Sequence, residues 1–206
     1  MIISKRDIDA VSELVNIGMG KGADMLNKLL ESHIILKAPV IKLVKKTELK
    51  RELQQYVDQE LFAVQMGFSG DFSGDAKLVF SHDCANKLVH ALMGVGVDLD
   101  IDEMDSLRTE TLNEVGNIVI NSIIGTISNE LQFKMKFSIP SCMQGNYDNI
   151  ITRDISGVHE GILHARVHFI VAELEIEGDM VMFLGMESLR KLPEAIDRYC
   201  GNMAAV

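Results

Sequence analysis

Asp9, Glu13 and Asn16 stand at i, i+4 and i+7, and Glu110, Glu114 and Asn117 repeat that spacing 101 positions later. At 100° per residue each trio falls within an arc of roughly 60° on a helix, so two carboxylates and a carboxamide make one polar stripe. Carboxylates on a surface attract a cation on a partner. A carboxamide can hold a water through its carbonyl and its NH2 group without adding charge beside an anion. In both copies a proline follows, Pro39 or Pro140, with 22 residues between it and the asparagine. Taken singly, a polar stripe reads as a solvated face. Its repetition argues otherwise, because beyond Glu, Asn and Pro the two stretches agree chiefly at Ile17 and Ile118. A duplicated chain that keeps its polar residues while its core drifts keeps them for something other than packing.

The stripes need long helices to carry them. Ile8, Val11, Val15, Leu26, Leu29 and Leu30 recur at helical spacings and predict a helix from Ser4 to about Leu30, with Ser4 and Asp7 as a capping box at its start. A more hydrophobic helix is predicted from about Asp102 to Leu131, its buried face drawn from Leu112, Val115, Ile118, Val119, Ile123 and Ile127. Each is followed by a proline-bearing strand, ILKAPVIKLV or FKMKFSIP, then by a hairpin and a short helix. The first hairpin turns at SGDFSGD and the second is expected to turn at EGD. Gly74-Asp75 and Lys87-Leu88 return as Gly178-Asp179 and Lys191-Leu192, 104 positions on. This order predicts two homologous halves, 1-97 and 98-206, within a single domain of α/β type. The expected fold is a continuous antiparallel-rich β-sheet with two long pseudo-symmetric helices packed on it; separate half-domains are the alternative. Pro39 and Pro140 are expected to be structural, fixing the start of the strand beneath each helix.

The pattern Asp/Ser-x3-Glu-x2-Asn-x22-Pro resembles the signature of the CheC, CheX and FliY family of chemotaxis phosphatases, and the residues around Asn16, the SGDFSG loop and the two-half layout are similar too. Two motifs in a chain of this length resemble the CheC type; CheX-like members carry one motif and FliY-like members append a further domain. The resemblance implies a phosphatase, a hydrolase acting on the aspartyl phosphate of a CheY-type response regulator in two-component signalling. Catalytic roles would fall to Glu13, Asn16, Glu114 and Asn117, the asparagines positioning water and the glutamates docking a partner cation. Asp9 and Glu110 would extend the partner-binding surface. Glu110 departs from the pattern, standing where the family shows Asp or Ser. No cofactor of the chain's own is implied, since the phosphorylated receiver would bring its Mg2+. The alternative is a non-catalytic adaptor that binds either the phosphorylated regulator or a CheD-type receptor deamidase, with little turnover of its own.

Other chemistry reads weaker. With 20 Lys+Arg against 30 Asp+Glu the net charge is -10, and no Lys/Arg run is longer than Lys45-Lys46, which argues against nucleic acid. NIGMGKG lacks the Ser/Thr of a phosphate loop and follows no strand, so Gly18 and Gly22, on one helical face, are read as permitting close helix packing. His164 and His168 would share a strand face but lie about 13 Å apart, too far to hold one metal ion together, so no metal site is expected. Cys84, Cys142 and Cys200 form no disulfide framework, and no stretch approaches 18 uninterrupted apolar residues. A cytoplasmic protein without membrane contact is the expectation.

Overall fold

The computed structural model describes residues 3–30, 33–93, 101–152, 159–171 and 174–203. Helix α1 (Lys5–Leu30) leads into β1 (Ile34–Val44), α2 (Lys46–Glu52), a 3-10 turn (Gln54–Tyr56), β2 (Leu61–Gly70), β3 (Gly74–Ser81) and α3 (His82–Met93). Helix α4 (Ile101–Glu130) then precedes β4 (Met135–Phe137), β5 (Ser141–Gly145), a π-helical turn (Asp148–Thr152), β6 (His159–Val171), β7 (Leu174–Gly185) and α5 (Met186–Met203). The expected boundary at 97/98 lies outside the described residues.

Helix α1 starts where its cap chemistry says it should. The Asp7 carboxylate accepts from Ser4 N–H at 2.8 Å and from the Ser4 hydroxyl at 2.7 Å, and the Ser4 oxygen accepts from Asp7 N–H at 3.2 Å. At the far end of α4, Gln132 takes φ 58° and Phe133 N–H reaches back to the Ser128 carbonyl at 2.8 Å, closing the last turn.

All strands pair antiparallel in one sheet of order β1-β6-β7-β3-β2-β4, with β5 also on β2. The registers repeat. Val40 to Val44 pair with Arg166 to Ile162, and 101 residues on, Ser141 to Gly145 pair with Gln65 to Leu61. Ile34 opposite Val171 likewise reappears as Met135 opposite Gly70. Strands β4 and β5 together are therefore the counterpart of β1. At the centre of the sheet Lys77 faces Val181, 104 positions away, so the β3–β7 ladder maps onto itself. Each half lends its first strand to the other half's hairpin, and one sheet runs through both.

Three details differ from the sequence reading. EGD is not a turn: Glu177, Gly178 and Asp179 lie inside β7, and the link from β6 falls at 172–173, outside the described residues. The start of β7 at Leu174 absorbs the three extra residues that change the repeat from 101 to 104. Pro39 does not start a strand either. It sits within β1 where the register slips between Lys37 and Val40, so Ala38 and Pro39 oppose one residue of β6 as a bulge on an edge strand. Pro140 occupies the matching interruption between β4 and β5, immediately before β5, which is why FKMKFSIP supplies only three strand residues. The third difference is an unanticipated cover on the sheet's second face, from α2, the 3-10 turn and the π-helical turn. Leu49, Leu53 and Tyr56, spaced as one helical face, are the signal that could have revealed it.

The sheet is consequently buried on both sides. On one, Leu14, Val15 and Met19 of α1 and Leu112, Val119 and Ile123 of α4 pack on Val64, Leu78, Phe80 and Phe169. On the other, Leu49, Leu53 and Tyr56 pack with Ala63, Val79, Ile162 and Phe183. That second layer encloses Asp179, whose carboxylate accepts from Tyr56 Oη at 2.7 Å and Gln55 Nε2 at 3.1 Å and lies 2.6 Å from His164 Nε2 and 3.4 Å from Arg166 Nε. Burial pushes the Asp179 carboxyl up, but the His164 and Tyr56 hydrogen bonds and the His164 and Arg166 charges outweigh it and hold the group below its usual value. Beside it, Lys77 is buried and donates to the Ile150 carbonyl.

Helices α1 and α4 run antiparallel and touch backbone to backbone. A Cβ on Gly18 would come within 2.5 Å of Ile123 Cα, and one on Gly22 within 3.4 Å of Ser122 Cβ. The close-packing role read from these two glycines holds. Replacing Gly18 with Leu must spread the helices and should cost about 3 kcal/mol in urea unfolding. Asp179→Asn should cost about 3 kcal/mol at neutral pH. Because the folded carboxyl titrates low, its contribution is present above the unfolded pKa of about 4 and is lost as pH falls through the folded value. The stability gap between wild type and Asp179→Asn should therefore close on acidification, as followed by urea melts at stepped pH.

Candidate functional site

Asp9, Glu13 and Asn16 are exposed along α1, while Leu14 and Val15 between them are fully buried in the helix–sheet core. The bulge in β1 explains the fixed spacing from asparagine to proline. Pro39 has no N–H, and the slipped register turns Ala38 N–H toward the helix, where Asn16 Oδ1 accepts it at 3.3 Å. Asn16 Nδ2 donates to the Ser12 carbonyl at 3.0 Å. A carboxamide has two donor and two acceptor positions, so one N–H and one lone pair of Asn16 stay available to a visitor.

The last helix supplies neighbours that the sequence did not single out. Arg6 pairs with Asp197 at 3.0 Å, joining α1 to α5. Burial, with the carboxylates of Glu13 and Glu130, pushes the Tyr199 phenol up. Tyr199 and Glu130 thus share the field of the first stripe. Both are far from Glu13 in sequence; the packing of α5 on α1 brings Tyr199 there, and the packing of α4 on α1 brings Glu130.

On α4, Glu110 and Glu114 are exposed and Asn117 is half-buried. Here the strand does not hold the asparagine. Asn117 Oδ1 accepts from Asn121 Nδ2 at 2.6 Å, one turn along the same helix. Ile139, the counterpart of Ala38, is 90% exposed, and its neighbour Ser138 is tied to β2 by Ser138 N–H to the Gly67 carbonyl and Gly67 N–H to Ser138 Oγ, both 2.9 Å. A shallow groove runs beside this stripe, lined by Met25, Lys28 and Leu29 of α1 and by Glu114, Asn117, Ile118 and Asn121 of α4. Met25 and Leu29 are each about half exposed.

Both trios therefore lie on the solvent side of the helix pair. Because the helices are antiparallel and cross at Gly18 and Ile123, the two asparagines are offset by roughly 12 Å of helical rise. The structure does not merge them into one site; it presents two. Each is a row of exposed carboxylates ending in a carboxamide with hydrogen-bonding capacity to spare. Such a row can attract a cation and orient a water. Among the described residues no three His, Cys, Asp or Glu side chains converge as a metal site. His164 is engaged by Asp179 and His168 by Glu175 at 2.7 Å, and the side chain of His159 lies outside the described residues. Among the described residues no helix is long and apolar enough to cross a membrane.

Residues 62–159 match the family model described as chemotaxis phosphatase CheX, and residues 8–43 match the CheC-like family. The CheY-P phosphatase CheC of Bacillus subtilis is 22% identical over 197 residues, covering 92% of this chain and 93% of that protein. The fold is similar to that of Thermotoga maritima FliY, with TM-score 0.73 and 19% identity over 97% of this chain and all of that one. It is also similar to the crystallised CheX-CheY-BeF3-Mg+2 complex from Borrelia burgdorferi, with TM-score 0.51 and 17% identity over 82% of this chain and 96% of that one. With its two asparagine-bearing helices on a single antiparallel sheet, the chain is similar in sequence and fold to the CheC-type chemotaxis phosphatases.

Proposed function

We propose that this protein accelerates hydrolysis of the aspartyl phosphate on a CheY-type response regulator, and that each long helix carries one site. The observation that carries the reading is the exposed carboxylate–carboxamide row, present twice at one spacing and each time one sheet irregularity away from a proline. The relative named as a CheY-P phosphatase, and the similar fold crystallised with CheY, beryllofluoride and Mg2+, support the choice of partner.

A phosphorylated receiver brings its own Mg2+ and lysine, so what it lacks is a water held in line with the bond to be broken. Asn16 and Asn117 supply that hold. The free half of each carboxamide orients the water. As the water's oxygen bonds to phosphorus, the bond to the aspartyl oxygen breaks, releasing inorganic phosphate and the receiver's carboxylate. A neutral amide does this without repelling the phosphoryl oxygens, which a third carboxylate would do. Glu13 and Glu114, one turn earlier, pair with the receiver's cation and set the angle of approach, and Asp9 and Glu110 lengthen the same acidic face. Catalysis of this kind is positional, so a single well-placed amide can account for a large effect.

A non-catalytic adaptor that holds either the phosphorylated regulator or a CheD-type deamidase is the second reading. The exposed Met25 and Leu29 beside Asn117 favour it, since they add contact area that no chemistry requires. Phosphate release from a phosphorylated receiver with Mg2+ separates the two. Asn16→Ala or Asn117→Ala should each leave part of the acceleration, and the double variant should lose about a hundredfold or more. A double variant with wild-type turnover would refute the assignment, and wild-type binding without acceleration would establish the adaptor. Glu13→Gln and Glu114→Gln together should raise KM more than they lower kcat, and that rise should shrink in high salt as the ion pairs are screened.

A further inference from the structure

The two stripes differ in what holds the asparagine. Asn16 Oδ1 is engaged by a backbone N–H fixed in the sheet bulge, whereas Asn117 Oδ1 is engaged by the side chain of Asn121 at 2.6 Å. The position on α1 that matches Asn121 is Gly20, which has no side chain to offer and around which an added Cβ would meet nothing within 4 Å. The donor at residue 121 therefore belongs to the second stripe alone. It occurs where the strand donor is withdrawn, because the segment that would supply it is tied to β2 through Ser138 and leaves Ile139 outside.

We infer that Asn121 is the positioning residue of the second site, its side-chain N–H taking the place that the Ala38 amide holds in the first. The inference rests on the phosphatase reading of the stripes. The end of an asparagine side chain rotates in a broad, nearly two-fold well, so its oxygen and nitrogen exchange places at little cost unless a neighbour discriminates between them. A donor 2.6 Å from Oδ1 discriminates. It commits the oxygen of Asn117 toward residue 121 and leaves the NH2 group, with one oxygen lone pair, for the reacting water. Both sites reach the same amide orientation, one by sheet geometry and one by a helical neighbour at i+4. Asn121 is half-buried and borders the same groove as Met25 and Leu29.

The test isolates each stripe in the full chain. In an Asn16→Ala protein only the second stripe remains, and adding Asn121→Ala should lower kcat about tenfold, the rate equivalent of one lost hydrogen bond, with KM changed less than twofold. Asn121→Gln, which keeps an amide donor, should recover a substantial part of that loss. The same Asn121→Ala change in an Asn117→Ala protein reports on general damage, because there only the first stripe works. Equal kcat with and without Asn121 in the Asn16→Ala protein would overturn the inference. So would a comparable fall in the Asn117→Ala protein, which would mark a merely structural residue. An Asn16→Ala protein no faster than the Asn16→Ala/Asn117→Ala double variant would instead refute the functional reading of the second stripe, and the inference with it.

Discussion

The meeting of α1 and α4 at Gly18 is the contact on which the rest of the arrangement depends. A methyl group there would sit inside the backbone of the neighbouring helix, so the two axes are held at a separation that only glycine permits. That separation lets both helices lie on one sheet with their apolar faces down and their acidic faces up. It also fixes the offset between the two asparagines. Spread the pair, and Asn16 moves away from the Ala38 amide while the groove along Met25 and Leu29 opens. The spacing of the stripes along each helix is a property of sequence, but their relation to one another is a property of this contact.

Much of this was legible in the residues. Helical periodicity and the Ser4–Asp7 cap located α1, and the apolar stretch after Asp102 located α4, because both helices bury one continuous face. The repeat located the stripes and the two prolines without reference to any structure. What could not be read was the meaning of the polar residues that face inward. Gly178-Asp179 has turn composition, yet Asp179 is buried, because four partners from the 3-10 turn and β6 converge on it. Local propensity treats a Gly-Asp pair as a turn; tertiary hydrogen bonding overrides it. In the same way, Pro39 was legible as a structural residue but not as a bulge, since a bulge exists only relative to the strand opposite.

The two halves keep the same register and diverge in how they use it. In the first, the irregularity at Pro39 frees a backbone donor for Asn16; in the second, the irregularity at Pro140 opens into a short loop and Asn117 takes its donor from a side chain. Backbone and side chain thus perform one task in two copies of one frame. A backbone donor is indifferent to substitution at its own position, with proline the exception. A side-chain donor is exposed to every mutation at its codon, which leaves the second site freer to vary.

The exchange of first strands between the halves also bears on how the chain is made. Ile34 pairs with Val171 and Val44 with Ile162, so β1 has no partner strand until more than a hundred further residues have been synthesised. At 5–20 residues per second that wait is on the order of ten seconds. Throughout it the nascent chain carries an apolar strand with an open edge, even after α4 has emerged to close on Gly18. Pairings of such long sequence separation form slowly even in the finished chain. The interleaving that unites the halves thus makes the first quarter of the polypeptide dependent on the last for its protection from aggregation.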